Sequence, residues 1–173
     1  MAKYIPDMYK KDITDIDYGR LKELGIKCLI FDLDNTVALI DERKISDSTR
    51  ELFENLKEEF AIVIMSNNFK NRIQEFCVPI NTPFVSFAMK PFLMGFKRVQ
   101  EMYGLKKEEM CIIGDQLMTD ILGGNRFGIY TILVDPMSEK DLKITSLNRR
   151  LEAQKIKKLS KMQILERGRY YEW

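Results

Sequence analysis

Four short apolar runs, Lys27 to Phe31, Ala61 to Met65, Met110 to Ile113 and Ile129 to Val134, recur along this 173-residue chain with helix-length stretches between them. Each is too short for a helix and reads as a strand buried on both faces, the pattern of a parallel sheet. Between the first two, Ser46 or Asp47 is suited to cap a helix in which Leu52, Phe53 and Leu56 share a face. Asn68 is placed to cap the next, with Ile73, Phe76 and Cys77 inward. Pro91 suits the first turn of a third helix running through Phe96, Val99 and Met102 to a stop at Gly104. Thr119 or Asp120 opens a fourth that closes near Gly128, and Thr82 to Phe87 is a further strand candidate whose boundary Pro83 blurs. This alternation predicts an α/β fold: a doubly wound parallel sheet with helices on both faces, binding ligands beyond the carboxyl ends of its strands.

The length suits one domain over residues 1–173, with 147–173 a basic C-terminal helix or tail. That tail carries eight Lys or Arg against three Glu, so its charge is +5 and residues 1–146 carry −3 of the overall +2. Its Leu151, Ile156, Leu159 and Met162 form an approximate stripe fit to dock on the sheet. The longest uncharged stretch, Phe76 to Met89, is broken by Pro79 and Pro83, so no membrane-spanning helix is expected. Lys3, Asp7, Lys10 and Lys11 stand where a signal peptide would be apolar, which makes the cytoplasm the expected location. The sequence has no histidine, so Ser-His-Asp and Cys-His triads and His-bearing zinc sites are excluded. Cys28, Cys77 and Cys111 lie far apart, Cys28 and Cys111 within apolar runs, and read as reduced packing residues.

Carboxylates must then carry the chemistry. The first strand is followed by Asp32-Leu33-Asp34-Asn35-Thr36, whose two acids share a face in an extended segment. After the second comes Ser66-Asn67-Asn68, suited to donating to an oxyanion; Lys90-Pro91 offers a cation; and Gly114-Asp115 to Thr119-Asp120 supplies a second acidic pair. Taken singly, each reads as a turn, a cap or surface. In one parallel sheet, however, their strand ends open onto one crevice, where clustered acids require a cation and hard oxygen donors favour Mg²⁺. Such a site suits attack of one carboxylate on phosphorus, while a second protonates the leaving oxygen and then activates water; Asp32 and Asp34 are spaced for this. Lys90 and Mg²⁺ would neutralise the phosphoryl oxygens, with Ser66 holding them.

D-x-D-N-T, S-N, K-P and G-D-x-x-x-x-D, in that order and each after an apolar strand, resemble the haloacid dehalogenase (HAD) phosphatase superfamily. Gly25-Ile26-Lys27, Ala88-Met89-Lys90-Pro91, Gly123-Gly124-Asn125-Arg126 and Asn148-Arg149 sharpen the resemblance to the YqeG family of class IIIA, from about Pro6 to Glu152. The resemblance implies that Asp32 is the nucleophile, that Asp34 is the general acid/base with its backbone carbonyl on the metal, that Ser66 binds phosphate and that Lys90 neutralises charge. It further implies Mg²⁺ on Asp32, Asp34 and Asp115, supported by Asp120. Arg126 and Arg149 are open between substrate donors and surface ion-pair partners. HAD enzymes with large caps insert them after the first motif or between the second and third; here 32 positions separate Asp34 from Ser66 and 24 separate Ser66 from Lys90, so no large cap domain is expected.

The YqeG family is similar to organellar phosphatases acting on phosphatidylglycerophosphate, which implies a phosphorylated substrate, with a lipid headgroup as the specific expectation and peripheral contact with an anionic membrane. Tyr170, Tyr171 and Trp173 in the basic tail and Phe92, Leu93, Met94 and Phe96 beside Lys90 would serve such contact, although core packing and a helical surface are the preferred reading of both groups. Nucleic acid is not an expected partner, and the oligomeric state is left open. Rival readings are a soluble phosphatase for a nucleotide, sugar phosphate or nucleic-acid end, a receiver-type signalling module, and a scaffold without activity. The receiver uses a later aspartate as phosphate acceptor, which the D-x-D spacing disfavours.

Overall fold

The computed structural model describes residues 2–138 and 145–172, with side chains from residue 150 onward in the second segment. Seven strands form one sheet: β1 (Met8–Lys10), β2 (Cys28–Phe31), β3 (Ala61–Met65), β4 (Phe84–Val85), β5 (Met110–Gly114), β6 (Tyr130–Val134) and β7 (Tyr171–Glu172). Their order is β4-β3-β2-β5-β6-β1-β7, with every pairing parallel except the antiparallel β1–β7 edge. The helices are α1 (Tyr18–Glu23), α2 (Asp47–Leu56), α3 (Lys70–Cys77), α4 (Met94–Tyr103), α5 (Leu122–Phe127) and α6 (Thr145–Lys161). This is the doubly wound α/β fold the alternation predicts.

Period-two side-chain direction sorts each central strand between two cores. Leu29 and Phe31 of β2, Ile62 and Ile64 of β3 and Cys111 and Ile113 of β5 pack with Phe53 and Leu56 of α2 and Ile73, Phe76 and Cys77 of α3. Cys28, Ile30, Val63, Met65, Met110 and Ile112 face the other way, onto Phe96 and Val99 of α4 and Phe127 of α5. Both faces of the central strands are covered, which is why they read as unbroken apolar runs.

The helix boundaries depart from the sequence reading in specific ways. Ser46 caps α2 by accepting from the Thr49 N–H. Asn68 does not cap α3, whose N-cap is Phe69; the Asn68 side chain instead accepts from the Phe69 N–H and donates to Asp34. α4 starts at Met94, because residues 87–93 are held as a loop by the two-way bonding of the Asn67 side chain to the Lys90 backbone; the Lys90–Pro91 peptide is cis. Gly104 ends α4 at φ 63, but Met102 faces outward. A π-helical turn, Leu117–Ile121, precedes α5, which Gly128 closes at φ 88. The strand expected over Thr82 to Phe87 shrinks to β4, since Phe87 turns to φ 51.

β1 and β7, which no sequence pattern announced, complete the far edge. β1 pairs in register Met8↔Ile132 with β6, and β7 pairs Tyr9↔Tyr171 with β1. Around Tyr9 a third apolar cluster gathers Leu117, Ile121, Leu133, Leu165 and Leu159 of α6, with Ile156 against it, so part of the expected stripe does dock; Leu151 and Met162 stay exposed. The tail is fastened by polar contacts too: Tyr9 and Tyr170 hydroxyls and Arg167 all donate to Asp135, and Arg167 also donates to buried Glu152. Trp173 and the Arg149 side chain lie outside the described residues.

Candidate active site

β2, β3 and β5 are adjacent and parallel, so the residues following each emerge at one end of the sheet. Asp32 extends the ladder beyond β2, its N–H donating to the Ile113 carbonyl at 2.9 Å. Residues 33–38 then fold into a tight turn in which the Val37 and Ala38 N–H groups donate to the Leu33 carbonyl, with Asn35 at φ 64. That turn returns Thr36 inward, where its hydroxyl donates to Asp115 at 3.2 Å. Asp115 follows Gly114 at the end of β5, and Asp120 folds back over it from the π-helical turn. Gly114 is required there, since a Cβ would stand 2.3 Å from the Asp120 Cγ.

Asp32, Asp115 and Asp120 are all buried, and one carboxylate oxygen of each lies within 4.8 Å of the others. The Lys90 ammonium sits among them, donating to Asp32 at 2.5 Å, Asp120 at 2.6 Å and the Met65 carbonyl at 2.9 Å, which uses all three of its protons. Asp120 accepts further from the Gln116 N–H. Burial pushes the Asp32 carboxyl well above the usual carboxylate range; Lys90 opposes this, while Asp120, Asp115 and Asp34 add to the rise. Burial works against the Lys90 ammonium, yet Asp120 and Asp32 prevail and hold its pKa above the ordinary lysine value. One ammonium is thus shared among more carboxylates than it can neutralise, a charge deficit that a divalent cation would fill. Compact carboxylate oxygens are the donor set of Mg²⁺-type ions.

The structure therefore brings Asp32, Lys90, Asp115 and Asp120 together. Ser66 is buried at the end of β3, its hydroxyl accepting from the Asn68 N–H at 3.1 Å. Asp34 stands apart from the three-acid cluster, its carboxylate held by Arg72 at 2.6 and 2.8 Å and by Asn68 at 3.3 Å. Arg72 is the residue sequence reasoning missed. Its remaining donors reach the Leu39 and Glu42 carbonyls, and its guanidinium lies 5.2 Å from the Phe76 ring centroid, so it ties the turn after β2 to α3. One signal was available: cations are disfavoured in a first helical turn, so Arg72 beside Lys70 at the start of α3 implies a tertiary partner. Arg126 is exposed in the last turn of α5, at the end that leads into β6 and hence away from the crevice. Only α2 and β3 lie between Asp34 and Ser66, and only α3 and β4 between Ser66 and Lys90, all described, so neither interval holds a cap.

Fold and site together define a phosphatase of the HAD superfamily. A HAD-hydrolase-like family model matches residues 87–146, and a mitochondrial PGP phosphatase model matches residues 2–74. The chain is 42% identical over 150 residues to the probable phosphatase YqeG of Bacillus subtilis, covering 86% of this chain and 87% of that one. It is 28% identical to the chloroplastic/mitochondrial phosphatidylglycerophosphate phosphatase 1 of Arabidopsis thaliana, covering 79% of this chain but 42% of the relative. A HAD family enzyme from Bacteroides thetaiotaomicron shares the fold at a TM-score of 0.54 and 17% identity, over 66% of this chain and 96% of that one. The chain belongs to the YqeG family of HAD phosphatases.

Proposed function

We propose that the chain is a Mg²⁺-dependent phosphomonoester hydrolase that passes its phosphoryl group through Asp32, and that the substrate is a lipid headgroup of the phosphatidylglycerophosphate type. The observation that carries the mechanism is the gathering of Asp32, Asp115 and Asp120 within 4.8 Å around the Lys90 ammonium at the carboxyl end of the sheet. Asp32, Asp115 and the Asp34 backbone carbonyl would hold the cation, with Asp120 in support; when bound, it neutralises negative charge on the phosphoryl oxygens.

The Asp32 carboxylate attacks phosphorus, the P–O bond to the alcohol breaks, and Asp34 gives that oxygen its proton. Asp34, now a carboxylate, removes a proton from water as the water attacks the aspartyl-phosphate; phosphate leaves and Asp32 is regenerated. Lys90 stabilises the charge that builds on the phosphoryl oxygens, and the Ser66 hydroxyl donates to one of them. Preference for a lipid rests on the Arabidopsis relative and on the PGP phosphatase model. The openness of the two intervals that carry caps in other HAD enzymes also supports it, since a headgroup displayed on a surface must reach the site. The whole chain then acts as one unit in the cytoplasm, peripheral to the membrane.

The test is phosphate release with added Mg²⁺ by wild type, Asp32→Asn and Asp34→Asn, on phosphatidylglycerophosphate vesicles and on a panel of soluble phosphomonoesters. Both substitutions are expected to abolish turnover, by at least about 10²-fold for the acid/base change. Unchanged rates refute the mechanism, equal or better turnover of the soluble panel refutes the lipid assignment, and an acyl-phosphate that accumulates without turnover points to signalling.

A further inference from the structure

We infer that the rim of the site, Phe69, Phe87, Met89, Phe92 and Met94, is an interfacial surface that seats the protein on an anionic lipid bilayer with the crevice facing the headgroups. This rests on the phosphomonoesterase reading of the same site. Among the described residues twelve large hydrophobic side chains are exposed, and six of them fall between positions 69 and 94: these five, 49% to 68% exposed, and Val78, which lies at the far, C-terminal end of α3. They belong to the two segments that also carry Ser66 and Lys90. The segments are laced together: the Phe87 N–H donates to the Asn68 carbonyl, Asn67 holds the Lys90 backbone from both sides, and the Phe69 and Phe87 rings meet edge to face at 5.1 Å.

Their outward direction is built into the backbone. Phe87 and Met89 sit at φ 51 and 55, the left-handed region that bulky residues rarely occupy and glycine fills without penalty. The alternation sends Phe87 and Met89 into solvent while Ala88 and Lys90 go into the protein. Holding large apolar side chains outward in a disfavoured conformation is costly for a surface left in water, and profitable for one that enters an apolar layer.

Charge selects the occupant. Residues 66–74 and 86–100 hold Lys70, Arg72, Lys90, Lys97 and Arg98 and no acid, the nearest being Glu75 and Glu101 just beyond them, within a body, residues 1–146, whose net charge is −3. Arg72 and Lys90 serve the interior, whereas Lys70, Lys97 and Arg98 are exposed, each within four positions of Phe69 or Met94. Apolar side chains surrounded by cations match the headgroup and acyl boundary of an anionic membrane. A bilayer seated on the rim presents headgroups to the crevice it covers, whereas a protein seated there would shut out a substrate carried elsewhere. The C-terminal tyrosines, the other membrane candidate, are tied to the protein: the Tyr9 ring packs 5.1 Å from Tyr170 and 6.2 Å from Tyr171, and Tyr170, though 41% exposed, donates its hydroxyl to Asp135.

The experiment is co-sedimentation of the full chain with vesicles of phosphatidylcholine, with and without phosphatidylglycerol, alongside turnover of soluble p-nitrophenyl phosphate. Wild type is expected to sediment with the anionic vesicles only. F92S/M94S and, separately, K97E/R98E should weaken that binding by about tenfold or more while soluble turnover stays at the wild-type rate. In a W173F background, Phe92→Trp fluorescence should shift to the blue on anionic vesicles. Wild type that stays in the supernatant, or variants that bind as wild type does, overturns the inference. So does a concentration-dependent dimer, without vesicle binding, that F92S/M94S dissolves, since that outcome assigns the rim to a second copy. Failure to hydrolyse any phosphomonoester instead sinks the catalytic reading, and the vesicle arm registers separately.

Discussion

Lys90→Met removes the charge at the centre of the site while keeping the unbranched stem. The Lys90 side chain is 2% exposed, and its partners Asp32 and Asp120 are 8% and 0% exposed, so water cannot replace the lost ammonium. Breaking a buried ion pair from one side costs about 3–5 kcal/mol because the surviving charge is left uncompensated. At about 2–4 °C per kcal/mol for a domain of this size, the unfolding midpoint should fall by about 6–20 °C. The measurement is thermal unfolding followed by circular dichroism in a chelating buffer. Its pH dependence has a defined sign: Asp32 is raised in the folded protein, chiefly by burial, so its stabilising contribution is fully present below the unfolded value of about 3.9 and is lost as pH rises through the folded value. Removal of Lys90 takes away the group that opposes this rise, so the variant's deficit should be largest near neutral pH and shrink as the pH falls toward the unfolded carboxylate value. Added Mg²⁺ should recover part of the loss. A variant within about 1 kcal/mol of wild type at neutral pH without cation, or a deficit that grows with acid, refutes the charge-deficit account of the site.

Two further outcomes follow from other contacts. Arg72 orients Asp34, so Arg72→Met should lower kcat/KM about 10- to 100-fold on an alkyl phosphomonoester, whose leaving oxygen needs a proton, and much less on p-nitrophenyl phosphate, whose leaving group does not. Because kcat/KM reports only steps through departure of the first product, an equal loss on both substrates would mean that Arg72 merely supports the fold, and Arg72→Lys should restore part of the difference. Burial pushes the Cys28 and Cys77 thiols up to about 12 and raises Cys111 well above its ordinary value, so aromatic disulfide reagents at neutral pH should react with all three no faster than the protein unfolds. A thiol that reacts ahead of unfolding would contradict the packing.

Several features of the fold are legible in the sequence. The four central strands appear within a residue or two of their apolar runs, because a strand covered on both faces must be apolar at every position. From parallel pairing alone it follows that the residues after those strands share one end of the sheet, which is how Asp32, Asp115 and Asp120 meet despite separations of up to 88 positions, while Lys90 joins them from the loop after β4 that Asn67 holds. β1 and β7, three and two residues long, have too few positions to display a period, and their pairing is decided by distant partners. α4 starts at Met94 rather than at Pro91 because proline tolerance is local, whereas the grip of Asn67 on Lys90 is not.

The order of carboxylates, lysine and serine after apolar strands is thus a property of the chain itself, since backbone pairing and burial act through the pattern of neighbours along it. The clamp of Arg72 on Asp34 and the outward set of Phe87 and Met89 belong to the folded state. The first joins residues 38 positions apart through side-chain geometry, and the second depends on a left-handed backbone that neither residue favours on its own.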